Sequence, residues 1–135
     1  LGAIYPTFEE IAQYIAKRDK ARIVPTGNYA LNVLGLSTQV PANVVFLTDG
    51  SPRSITLKSG RGIKFVKTAP KNLAFKNRLA MLLTFAFKEI GEGNVTKEQK
   101  LHIAKLLKNE EKETIEKDYS IMPNWIQLLI SKLYE

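Results

Sequence analysis

The fold is decided by residues 44–67, VVFLTDGSPRSITLKSGRGIKFVK. Residues 44–48 are β-branched and aromatic and precede Asp-Gly-Ser-Pro, which predicts a strand followed by a turn. Residues 53–58 and 63–67 alternate apolar and polar side chains, and the Ser-Gly-Arg-Gly between them predicts a hairpin. The side of this hairpin expected to face away from the core carries Ser54, Thr56, Lys58, Lys64 and Val66.

Helical periodicity precedes and follows the hairpin. Apolar residues recur at helical spacing over residues 8–18 and 26–35, and a short strand over residues 21–24, stopped by Pro25, lies between them. Thr26 is expected to cap the second of these helices. Further helices are predicted over residues 79–90, 96–108 and 124–133, with a charged segment, helical or frayed, over residues 110–118.

The order of these elements predicts an α+β fold, with a small, mostly antiparallel sheet that contains a β-hairpin. N-terminal helices flank the sheet, and the last third of the chain is helical. A length of 135 residues is typical of one domain. We expect residues 7–135 to form it, with residues 1–6 as a linker. The last helix is expected to place Trp125, Leu128, Leu129 and Leu133 on one face.

Composition indicates a globular protein, because 44% of the residues are apolar and 24% are charged. The chain has no cysteine, which is typical of a reducing compartment, and we expect a cytoplasmic location. No apolar run approaches the ~20 residues that a membrane-spanning helix needs, so no membrane association is expected.

Positive charge is concentrated in the first part of the chain. The formal net charge is +7, and residues 53–78 contain eight basic residues and no acid. Such a stretch suits nucleic acid or an acidic protein partner, and it equally suits a solubilising surface that protects sheet edges. The basic residues that we predict to bind a partner or nucleic acid are Arg53, Lys58, Arg61, Lys64, Lys67 and Lys71.

The sequence does not contain a recognisable set of catalytic residues. The sole histidine, His102, lies within a predicted helix and is interpreted as an exposed side chain without a triad or a second metal ligand. Asp49 is interpreted as a turn residue, and residues 110–112 as a solvated charged segment. We therefore predict no enzyme activity, no metal and no cofactor. A cryptic metal-dependent nuclease or a nucleotidyltransferase relative is the alternative.

A second distinctive stretch is RIVPTGNYALNVLGLSTQVP, residues 22–41. It could serve only as architecture, connecting a strand, a helix and a strand. It could also form a polar rim near Arg53 on the neighbouring strand, suited to hydrogen bonds with a partner surface or with phosphate. The residues of that predicted rim are Arg22, Thr26, Asn28, Asn32, Ser37, Thr38 and Gln39.

Residues 22–41, followed by residues 46–50 and Arg53, resemble the body of the bacterial AbiE-type (abortive infection, type IV toxin–antitoxin) antitoxin-like transcriptional regulators. The likeness covers most of the chain and is strongest over residues 22–72. It implies the C-terminal domain of a regulator whose N-terminal winged helix-turn-helix binds operator DNA, with residues 1–6 as the linker from that domain. It also implies antitoxicity towards a nucleotidyltransferase-like toxin.

The functional prediction is a non-enzymatic domain of an antitoxin-like transcriptional regulator, which contributes to toxin neutralisation and to partner or nucleic-acid recognition. A structural or dimerisation domain is a further alternative, in which Trp125, Leu128 and Leu129 would face a second copy. The oligomeric state is left open by the sequence.

Overall fold

The computed structural model describes residues 8–38 and 42–135, and a four-stranded sheet lies at its centre. Its strands are β1 (Ile23–Pro25), β2 (Asn43–Thr48), β3 (Arg53–Thr56) and β4 (Gly62–Lys67), in the order β1-β2-β4-β3. β1 pairs with β2 and β3 pairs with β4 in antiparallel fashion, whereas β2 and β4 are parallel. The α+β fold with a mostly antiparallel sheet is confirmed.

The predicted hairpin is confirmed as the β3–β4 pair, with Ile55 opposite Ile63 and Arg53 opposite Phe65. Gly60 in its turn has a φ of 87°, a left-handed conformation that glycine adopts without strain. β4 pairs with β2 on one side and with β3 on the other, so β3 is an edge strand of the sheet.

Six helices surround the sheet within the described residues. They are α1 (Phe8–Arg18), α2 (Gly27–Val33), α3 (Arg78–Ile90), α4 (Lys97–Leu107), α5 (Lys112–Glu116) and α6 (Asn124–Leu133). Two 3-10 turns, Pro70–Leu73 and Tyr119–Ile121, complete the elements. The predicted bounds of α1 and α6 are confirmed. Thr96 and Gln99 exchange the two hydrogen bonds of a capping box at the start of α4. In the described part of the chain, no helix has the length and apolar character to cross a membrane.

Two apolar clusters lie on opposite faces of the sheet. On one face α1 covers a cluster that includes Val44, Phe46, Ile63 and Phe65. On the other face Val24 of β1 joins the larger helical core, which includes residues from α2, α3, α4, α5 and α6. The helices of this second face leave Ser54, Thr56 and Lys64 exposed on β3 and β4, as predicted for the outward side of the hairpin.

Two local details around β1 differ from the prediction, although Thr26 does occupy the N-cap position of α2. Pro25 lies within β1 and opposite Phe46. The strand tolerates it because β1 is an edge strand, and the backbone N–H that reaches β2 next to it belongs to Thr26. The Thr26 side chain does not cap α2, since its hydroxyl donates to the Val45 carbonyl oxygen at 2.9 Å.

The buried face of α6 is a different one from the face predicted to carry Trp125, Leu128, Leu129 and Leu133. Ile126 and Ile130 are fully buried, whereas Leu128 is 63% exposed. Trp125, Leu129 and Leu133 are only partly buried at the flank of the core. The helix is apolar around most of its circumference, so its periodicity could not select the side that packs.

Candidate nucleic-acid interface

The structure divides the basic residues of the stretch 53–78 into paired and unpaired groups. Arg53 Nη2 lies 3.1 Å from an Asp19 carboxylate oxygen at the end of α1. Arg78 forms a bidentate pair with Glu9 of α1, with one contact at 2.9 Å. These contacts join both guanidinium groups to α1 and to the residue after it, so Arg53 and Arg78 contribute to the attachment of that helix.

Arg61 is held at the same helix in another way. Its guanidinium carbon lies 5.7 Å from the centroid of the Phe8 ring, which is a cation–π contact. Since Phe8 is the first residue of α1, the hairpin turn and the start of this helix are joined at this point. Arg61 remains exposed, so its charge still contributes to the surface.

Exposed lysines of the stretch whose side chains make no ion pair or hydrogen bond among the described residues form the unpaired group, to which Lys76 before α3 also belongs. Lys58 follows β3, Lys64 lies on β4, and Lys71 lies in the 3-10 turn Pro70–Leu73. All three are exposed, and no ion pair or side-chain hydrogen bond involves them among residues 8–38 and 42–135. These ammonium groups are therefore available to an external anion.

A different set of contacts closes the turn after β2. The backbone N–H of Arg22 donates to Asp49 Oδ1 at 2.8 Å, and Arg22 Nε donates to Asp49 Oδ2 at 3.0 Å. These bonds lower the pKa of Asp49 from its ordinary value, because they favour the charged carboxylate. Lys67 Nζ donates to the Asp49 carbonyl oxygen at 2.9 Å. Asp49 acts as a turn residue here, and Arg22 and Lys67 hold that turn.

The polar rim predicted from residues 22–41 is dispersed in the structure. Arg53 does not lie on a neighbouring strand, since β1 and β3 are opposite edges of the sheet. Asn32 Nδ2 donates to the Ser37 carbonyl oxygen at 3.3 Å, which stabilises the chain after α2. Asn28 and Thr38 are exposed. Gln39 lies outside the described residues.

The only histidine of the sequence has a structural role, contrary to its interpretation as an exposed side chain. His102 is half-buried, and its Nε2 lies 2.7 Å from the Leu34 carbonyl oxygen. A carbonyl oxygen can only accept, so Nε2 donates and satisfies a carbonyl at the C-terminal end of α2. Within the described ranges, no group of three or more acidic or histidine side chains could hold a metal ion.

One exposed lysine outside the stretch 53–78, Lys88, was not predicted as part of the basic surface. Lys88, near the end of α3, is exposed, and its Nζ lies 5.4 Å from the centroid of the Phe85 ring. Partial burial, and then the charge of Lys71, lower the pKa of Lys88. The Phe85–Lys88 spacing of three residues in a predicted helix was the signal available for this contact.

Comparison with known proteins identifies a family. A family model described as a family of unknown function (DUF6088) matches residues 1–115. The chain belongs to this family. The match includes the whole sheet and the stretch 53–78, whereas α6 lies beyond it. Comparison with curated proteins and with solved structures gave no match.

Proposed function

We propose that this DUF6088 domain is a non-enzymatic recognition domain of an antitoxin-like transcriptional regulator, and that its unpaired lysines contact a nucleic-acid backbone. The observation that carries the proposal is the exposure of Lys58, Lys64 and Lys71 without an acidic partner among the described residues. Ammonium groups of this kind neutralise phosphates and release counterions, which supplies sequence-independent affinity.

The residue types on this surface favour nucleic acid over an acidic protein. Protein interfaces rely on aromatic and arginine anchors and are depleted in lysine. Here Phe65 is buried, and Arg53 and Arg78 are occupied by carboxylates of α1. Arg61 is exposed but lies over the Phe8 ring, and the other exposed basic groups that remain are lysines, which bind phosphate as point charges.

The non-enzymatic part of the proposal rests on how potential catalytic side chains are used. His102 is committed to the Leu34 carbonyl oxygen, and Asp49 accepts two hydrogen bonds from Arg22. Both groups therefore have structural tasks. A general base needs a free acceptor within reach of the proton that it removes.

The lysine surface is tested by exchanging three charges. The variant K58Q/K64Q/K71Q should bind duplex DNA more weakly at low salt than the unchanged protein. The negative slope of log K against log salt concentration should decrease in magnitude by about 2–3, because each phosphate contact contributes about 0.9 to that slope. Fluorescence anisotropy over a series of salt concentrations measures both quantities.

A matched control removes the same number of charges from α4 and the residue that follows it. Lys97, Lys105 and Lys108 are exposed, and K97Q/K105Q/K108Q has the same net charge as the first variant. This control should keep the salt dependence of the unchanged protein. If the two triple variants behave alike, only the net charge matters and the proposed lysine surface is refuted.

The antitoxin part rests on the resemblance carried by residues 22–41. Coexpression of this chain with the nucleotidyltransferase-like product of the neighbouring gene should restore growth that the toxin arrests. Growth of the host in liquid culture, with and without induction of the chain, is the measurement. Failure of this chain to restore growth would remove toxin neutralisation from the proposal and leave nucleic-acid binding to be judged separately.

A further inference from the structure

An open apolar groove lies between α4 and α6, which pack against each other. Its volume is about 290 Å³. The apolar side chains that line it are Val95, just before α4, and Trp125, Leu128 and Leu129 of α6. Leu128 is 63% exposed and the other three are half-buried. A group of large apolar side chains that is open to solvent is typical of an interaction site.

The charge around this groove is mainly positive. Its charged residues are Lys100, Lys132 and Glu92. Both lysines are exposed, and neither makes an ion pair or a side-chain hydrogen bond among residues 8–38 and 42–135. The two helices α4 and α6 together contain four lysines and one acid, Glu98. The groove therefore complements a surface that combines apolar and acidic side chains.

The backbone that borders the groove favours a helix as the occupant. Trp125, Leu128, Leu129 and Lys132 all belong to α6, whose backbone N–H and C=O groups are used within the helix. An extended segment would find no strand edge to pair with along α6. An amphipathic helix satisfies its own backbone groups and presents apolar side chains on one face, which is the recognition mode that such a groove allows.

Other occupants match the groove less well. A second copy of this chain would bring its own α6, which carries Lys132 and no acid, so the contact would place cations near each other. The phosphate backbone of a nucleic acid would pair with Lys100 and Lys132 but would leave Leu128 uncovered. An acidic amphipathic helix covers the apolar side chains and neutralises the lysines at the same time.

We propose that the groove between α4 and α6 binds an acidic amphipathic helix of a partner protein. The apolar face of that helix contacts Trp125, Leu128 and Leu129, and acids beside this face pair with Lys100 and Lys132. Trp125 is the central anchor, because tryptophan is enriched among the residues that dominate binding energy at protein interfaces. This interaction goes beyond the proposed function and does not depend on the lysines of the stretch 53–78.

The probe for this proposal is a synthetic peptide of about 18 residues, because shorter isolated helices are marginal in water. It carries leucines at helical spacing on one face, glutamates on both sides of that face, and no tryptophan. Trp125 is the only tryptophan of the sequence, so binding should shift its fluorescence to shorter wavelength as water leaves the ring. A control peptide with lysine in place of every glutamate should bind at least about tenfold more weakly, because two ion pairs are lost.

Two pairs of variants of the full chain separate the apolar from the charged contacts. Leu128→Gln should weaken binding of the glutamate peptide roughly tenfold. Leu101→Gln, which changes a leucine that is 58% exposed on α4 outside the groove, should have no effect. K100E/K132E should reverse the preference between the two peptides. K105E/K108E has the same net charge but changes exposed lysines outside the groove, so it should keep the preference of the unchanged protein.

Several results would overturn the proposal. The glutamate peptide could leave the Trp125 fluorescence unchanged, or both peptides could bind equally well, which would mean that charge does not select the partner. Sedimentation could show a dimer that Leu128→Gln dissociates, which would make a second copy the occupant. A fluorescence shift caused by duplex DNA and abolished by K100E/K132E would assign the groove to nucleic acid. K58Q/K64Q/K71Q should bind the glutamate peptide like the unchanged protein, so failure of the proposed function would leave this result intact.

Discussion

Phe46→Ala should lower the free energy of unfolding by about 3–5 kcal/mol. Phe46 is 0% exposed in the middle of β2. Its ring centroid lies 5.7 Å from that of Tyr29 and 6.0 Å from that of Phe65. Removing the ring leaves a cavity between α1 and the sheet. β2 cannot move to fill it, because it is paired with β1 on one side and β4 on the other.

Urea denaturation is a suitable measurement for this variant. Trp125 is the only tryptophan of the sequence, and its ring lies 6.4 Å from that of Phe87 in the larger helical core. Its fluorescence therefore reports on the cluster that the mutation does not touch. Coincidence with the circular dichroism transition would show that both faces of the sheet unfold together.

A control substitution shows how much the truncation of an exposed side chain changes the free energy of unfolding. Leu128→Ala truncates a side chain that is 63% exposed, so we expect a change within about 0.5 kcal/mol. A loss of less than about 1.5 kcal/mol for Phe46→Ala would contradict the placement of α1 over this face, since a collapsible or open site costs little to truncate.

The sheet shows which parts of the fold follow from local sequence. The hairpin was predicted because residues 53–67 alternate in polarity around a glycine-containing turn, and these are short-range signals. The parallel pairing of β2 with β4 was not predicted. Val44 and Phe46 mark β2 as buried, but a short apolar strand does not reveal which partner lies beside it.

The candidate interface was predicted as a stretch of chain and not as a surface. Sequence locates the acid-free residues 53–78, but it does not show which charges are neutralised from afar. Arg78 meets Glu9 across 69 residues, and Arg53 meets Asp19 at the end of α1. Such pairs depend on how α1 lies on the sheet.

Asp118 is a buried carboxylate at the end of the segment 110–118, which the sequence predicts as charged and either helical or frayed. It is 1% exposed. Oδ1 accepts the backbone N–H of Lys76 at 2.9 Å, and Oδ2 accepts that of Asn77 at 2.9 Å. Asn77 in turn caps α3 by accepting the N–H of Ala80 at 2.9 Å. Asp118 therefore ties the chain after α5 to the point where the basic stretch enters α3.

Asp118→Ala should lower the free energy of unfolding by about 2–4 kcal/mol, because two backbone N–H groups would lose their acceptor in a site closed to water. Asp118→Asn should cost less, since its amide oxygen can still accept one of these hydrogen bonds while its NH2 group cannot. Glu116→Ala is the matched control, as Glu116 is an exposed acid in the same segment, and its effect should stay within about 0.5 kcal/mol. Urea denaturation of the three variants measures these differences. Equal stability of Asp118→Ala and Glu116→Ala would mean that the Asp118 carboxylate does not stabilise the start of α3. Other contacts would then have to orient the neighbouring lysine surface.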